Sequence, residues 1–77
     1  MKVKKITVKN LLNIMEDETK VTIALFAYGI PYARTDNDGM VTVGDCKSRL
    51  RIEGMNAVVT NIKASNSRVS IWAEMCA

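Results

Sequence analysis

Val8, Leu11, Leu12 and Met15 fall at positions i, i+3, i+4 and i+7, which puts four apolar side chains on one face of a helix. Thr7 stands just before them, where its hydroxyl can accept from the first free amides and cap that helix. Upstream, Lys2 to Thr7 alternates charge with Val3 and Ile6, the pattern of a short strand with a lysine-rich solvent side. The acidic run Glu16-Asp17-Glu18 would oppose a helix dipole at its C-terminus, so it is assigned to the exit turn.

From Thr19 the period changes to two. Thr19 to Tyr28 predicts the principal strand, with Val21, Ile23 and Leu25 on one face and Thr22, Ala24, Phe26 and Tyr28 on the other. Gly29-Ile30-Pro31 is expected to break it, because Pro31 has no amide to give a central ladder. An edge strand over Tyr32–Thr35 and a short strand over Met40–Val43 follow. Thr42 and Asp45 have the spacing of a capping box, which predicts a helix from about Gly44 to Arg51 with Cys46 and Leu50 inward and Gly54 closing it. Asn56–Ala64, the polar turn Ser65-Asn66-Ser67 and Arg68–Met75 predict a hairpin. Val58, Thr60, Ile62 and Ala64 share one face of its first arm. Val69, Ile71 and Ala73 share one face of the second, opposite Ser70, Trp72 and Glu74. The resulting class is α+β: a small, mainly antiparallel sheet with one amphipathic N-terminal helix, a second short helix and a C-terminal β-hairpin.

Seventy-seven residues suffice for a single domain over 1–77. The 48% hydrophobic and 25% charged fractions are those of a folded chain, so disorder is set aside. Two cysteines and no histidine make neither a disulfide framework nor a zinc site, and no cofactor motif is present. The longest apolar run, Ile23–Tyr28, is too short to span a bilayer, and the first residues alternate instead of forming an export signal. A cytoplasmic protein with reduced thiols is the expectation.

Several stretches invite chemistry. In Arg34-Thr-Asp-Asn-Asp-Gly-Met-Val41, Asp36, Asp38, Gly39 and Asp45 fall at calcium-loop positions 3, 5, 6 and 12, but Arg34 occupies the first ligand position. A turn between two strands, with Gly39 supplying positive φ, accounts for every residue there. Cys46 has no histidine to activate it, so a small buried thiol is expected. A net charge of +3 is mild, yet Lys2, Lys4, Lys5, Lys47, Arg49 and Arg51 are candidates for contacting nucleic-acid phosphates. Against that stands their ordinary role as a solvated face and as guards of an edge strand. Trp72 is either core, covered by the first helix, or an anchor for a partner. With only one Trp, two Tyr and one Phe in the chain, core is the expectation. Phe26, Tyr28 and Tyr32 gather around Pro31 and raise the same question.

The order of a "TVKNLLNIM" helix, a "DETKVTIAL" strand, a glycine turn, a short helix and a "NAVVTNIKASNSRVSIWAEM" hairpin covers residues 6 to 75. It resembles very small accessory proteins of phages and other bacterial mobile elements. The resemblance implies a non-enzymatic viral accessory protein that binds a host or phage protein, in some cases blocking a defence protein such as a CRISPR-type nuclease. Tyr28, Tyr32, Arg34 and Trp72 are the candidate partner-binding residues. A weak nucleic-acid binder using the lysine and arginine set is the alternative. Open strand edges on a small core also make a homodimer an expectation.

Overall fold

The structure, a computed structural model, describes residues 5–75. Helix α1 covers Val8–Asn13 and is capped as its sequence predicts, the Asn10 amide donating to Thr7 Oγ1 at 3.2 Å. Strands β1 (Val21–Ala27), β2 (Ile30–Arg34), β3 (Val58–Ala64) and β4 (Val69–Met75) form one sheet in the order β2-β1-β4-β3. The two hairpin pairs are antiparallel, and β1 and β4 meet between them in parallel, from Val21 opposite Val69 to Ala27 opposite Met75. The chain is thus a small α+β fold with a mostly antiparallel sheet.

The parallel seam sorts the side chains. Val21, Ile23 and Leu25 lie beside Val69, Ile71 and Ala73, and all but the partly buried Val69 are buried. Onto them pack Val8 and Leu12 of α1 and Val43 and Cys46 of α2 (Val43–Arg49). All the helices therefore cover one face. Removing these side chains from water supplies roughly 1.5–3 kcal/mol apiece for the larger aliphatics.

Several local expectations change in the structure. Gly29-Ile30-Pro31 does not break the sheet: Tyr28 and Gly29, at φ 56° and 76°, form a two-residue hairpin turn, and Ile30 and Pro31 belong to β2. Such turns need positive φ at both central residues, which an aromatic adopts only at a cost of roughly 1–2 kcal/mol. Pro31 is tolerated because β2 is an edge strand. Of the expected strand Lys2–Thr7, residues 2–4 lie outside the described residues. Thr7 makes a single bridge to Val58, and the Val59 amide donates to the Ile6 carbonyl at 2.8 Å. Met40–Val43 is likewise one bridge, Thr42 to Lys20, before the chain turns into α2 at Val43. The predicted helix from Gly44 to Arg51 is two: α2 ends at Arg49, Leu50 is extended (ψ 136°), and α3 follows at Ile52–Met55. Gly54 sits inside α3, not after a helix. A Cβ there would stand 3.1 Å from Leu25 Cδ1 and from the Leu50 side chain. In β3 the register shifts between Val59 and Asn61, so Thr60 is a bulge and the expected alternation fails. Val59 and Ile62, not Val58 and Thr60, share the face of Ala73 and Ile71.

The stretch that resembled a calcium loop is a turn, though not one between two strands. Thr35–Asp38 winds into a single 3-10 turn closed by Gly39 in the left-handed region (φ 78°). Thr35 is buried, and its Oγ1 accepts from the Ile23 amide at 2.9 Å. A side chain thus adds the rung that the β2 backbone stops supplying when it coils. Thr35→Val keeps the volume but orphans that buried amide, a loss of about 1–3 kcal/mol. Urea denaturation should show a lower midpoint with an unchanged slope, whereas an unchanged midpoint would mean another group satisfies Ile23.

Candidate functional site

Because every helix packs on the odd-numbered positions of β1, the even-numbered ones are left open. Across this second face the register aligns Lys63, Ser70 and Thr22 in one row and Asn61, Trp72, Ala24 and Arg34 in the next. Val58, Glu74, Phe26 and Pro31 form a third. Ala24 between Trp72 and Arg34 leaves a trough, a depression of about 410 Å³. Its lining comes from the strands and from Asn37 of the 3-10 turn, with no helical residue. Trp72 is therefore not core. It is half-buried on the uncovered face, contrary to the expectation from residue counting.

Of the four predicted partner-binding residues, three share this trough: Tyr32, Arg34 and Trp72. Tyr32 is the unpaired residue of a bulge between the pairs Leu25–Ala33 and Phe26–Pro31. It also lines a second depression on the helix side, with Arg49, Arg51 and Glu53, so it stands on the ridge between the two. Arg34 Nη2 donates to Asp36 Oδ2 at 3.0 Å. Tyr28 is apart from the trough, at the hairpin tip, 77% exposed. The tip is tied to the sheet by the Gly29 amide, which donates to Glu74 Oε2 at 2.9 Å. Sequence reasoning missed Ile30, 66% exposed on the same edge strand, because it assigned that residue to a break. It also missed Arg68, whose Nη1 donates to Thr22 Oγ1 at 3.1 Å on the open face.

The described members of the lysine and arginine set, Lys5, Lys47, Arg49 and Arg51, do not all border one depression. Lys2 and Lys4 lie outside the described residues. Lys5 borders a depression along β3, away from the one lined by Arg49 and Arg51. Lys47 Nζ donates to Asp17 Oδ1 at 3.1 Å, and Arg49 Nη2 to the Asp38 carbonyl at 2.9 Å. These contacts are within the chain and tie α2 to the loops around it.

Cys46 lies at the base of the core, fully buried. Burial pushes its pKa up to about 11; the neighbouring Thr35 hydroxyl works against the shift and the Asp45 carboxylate adds to it. A thiol kept protonated at neutral pH is a poor nucleophile. Asp45 completes the predicted capping box: its Oδ2 accepts from the Val41 and Thr42 amides at 3.1 and 3.3 Å, while its own amide donates to Thr42 Oγ1 at 3.2 Å. The two backbone bonds hold its carboxyl below the usual 3.8, burial opposing them and the Thr42 hydroxyl and Arg49 assisting. Among the described residues no group of three or more Cys, Asp or Glu is placed to hold a metal ion, and no helix is long and apolar enough to cross a membrane.

Comparison of the chain with family models, with curated proteins and with solved structures finds no match.

Two outcomes follow from the titrating groups. The raised Cys46 pKa means the unfolded chain loses this proton first, so stability is complete below about pH 9 and declines as pH rises towards 11. In a Cys76→Ser variant at pH 8, Cys46 should resist a thiol reagent until the chain is unfolded in urea; prompt labelling of the folded protein would contradict its burial. The lowered Asp45 pKa has the opposite sense. Its contribution is complete above about pH 4 and is lost as pH falls through the folded value, a loss that a Thr42→Ala, Asp45→Ala double variant should not show in acid denaturation.

Proposed function

We propose that this chain is a non-enzymatic protein-binding module, working through the free edge formed by β2 and its hairpin tip. The observation that carries the reading is the exposure of large apolar side chains there: Tyr28 at the hairpin tip and Ile30 and Tyr32 on the strand that ends the sheet are each about two-thirds or more exposed. Their exposure is not needed for the core, which is built from the other sheet face and the helices. A strand edge offers main-chain groups to a partner strand, and flanking side chains select it. Pro31 removes one donor and the Tyr32 bulge distorts the ladder, so pairing is restricted to partners that match the interruption. The phage-like outline of the sequence makes a host protein, such as a defence protein, the first partner to test. The buried, protonated Cys46 supports the non-catalytic part of the reading.

The immobilised chain should retain one host protein in stoichiometric amount, at both low and high salt. Tyr28→Ser or Ile30→Ser should weaken that complex by roughly 30-fold or more, the loss expected for an anchor residue, with the far-ultraviolet circular dichroism unchanged. Retention unaffected by both variants would remove the edge from the interface. A sedimentation mass of two chains that falls to one on Ile30→Ser would make the partner a second copy of the chain.

A further inference from the structure

The uncovered sheet face has a different chemistry from the β2 edge. Its central aromatic is Trp72, half-buried, with the small Ala24 beside it and Arg34 beyond. On the far side Asn61 pairs with Trp72, and Lys63 stands opposite Ser70 in the neighbouring row. Arg68 reaches across from the β3–β4 loop to Thr22. The cations around the trough are thus Arg34 on one side, already paired with Asp36, and Lys63 and Arg68 on the other. The strand acid of this face, Glu74, stands in the row on the other side of Trp72 from Lys63 and already accepts from the Gly29 amide. Ala24 and Phe26 beside the indole, the hydroxyls of Thr22 and Ser70, and cations at the margins suit a flat, stacking, negatively charged ligand.

We propose that this face binds single-stranded nucleic acid, one base stacking on Trp72 over Ala24 while Arg34, Arg68 and Lys63 contact the flanking phosphates. A sheet with an exposed aromatic and basic margins can hold unpaired bases by stacking, since every base presents a π-face, and the cations follow the backbone. Duplex is disfavoured because its bases are already stacked and its width does not fit a trough one residue across. Asn61 and Ser70 offer hydrogen bonds to base edges. This site adjoins the protein-binding edge through Tyr32 and Arg34 of β2 but does not include Tyr28 or Ile30, and it uses none of Lys5, Lys47, Arg49 or Arg51.

Trp72 is the only tryptophan, so its fluorescence reports occupancy directly. Single-stranded oligo(dT) and oligo(rU) of about ten nucleotides should quench it saturably in about 50 mM salt. With three phosphate contacts, raising the salt to about 200 mM should weaken binding roughly 20-fold. By anisotropy of a labelled strand, Trp72→Ala should lose about 5- to 150-fold, the range for one base–aromatic stack. Trp72→Phe should keep most of the affinity, and Lys63→Ala should flatten the salt dependence by about one phosphate contact. If Trp72→Ala does not fold, Trp72→Phe and Lys63→Ala still decide the matter. Tyr28→Ser and Ile30→Ser should bind the strand as the parent does. The proposal is overturned by absence of quenching at low salt, by duplex of the same sequence binding as tightly, or by Lys47→Ala and Arg51→Ala costing as much as the loss of Trp72.

Discussion

The seam between β1 and β4 organises the molecule. Two strands side by side in register, Ile23 against Ile71 and Leu25 against Ala73, bring all the odd positions to one side, and that side is the one the helices can seal. The helices are short: α1 has six residues, α2 seven and α3 four. A helix rises about 1.5 Å per residue, so together they span one surface of a four-stranded sheet and no more. The open face is the geometric remainder of that choice. So is the half-burial of Trp72, which stands one residue away from two core positions, Ile71 and Ala73, and points the other way.

The loops are bound to this frame by polar contacts. Thr35 completes the ladder for Ile23, Asp45 and Thr42 close the start of α2, and Lys47 and Arg49 reach Asp17 and Asp38. Gly44 brings its amide to the Asp17 carbonyl at 3.0 Å, joining the exit of α1 to the entry of α2. These bonds explain why several charged residues that look available in the sequence are occupied within the chain. The cations left facing the trough are on strands and a hairpin loop, and only Arg34 carries an ion pair of its own, to the exposed Asp36.

Local rules read much of this correctly. The apolar spacing of α1, its Thr7 cap, the capping box at Thr42 and the Ser65–Ser67 turn all follow from neighbours within a few residues, and such signals are present in the sequence itself. What escaped depends on distant partners. The parallel pairing of β1 with β4 has no signature in either strand. The bulges at Tyr32 and Thr60 shift every later side chain by one face, which alternation alone does not reveal. Counting large residues puts Trp72 in the core, but which face is sealed is settled by where the helices land. Tyr28, Tyr32, Arg34 and Trp72 were legible as chemistry, and their division between an edge and a trough was not.

The order of the strands also has a kinetic side. Each hairpin joins neighbours along the chain, with a two-residue link between Ala27 and Ile30 and a four-residue link between Ala64 and Val69, and such pieces zip up quickly. The central pair instead unites strands separated by most of the polypeptide, so the loop-closure entropy falls due before its contacts form. The seam is therefore the pairing with the largest closure cost, and a chain in which it has not formed leaves the inner edges of β1 and β4 unpaired, open to mispairing at the place the folded molecule covers.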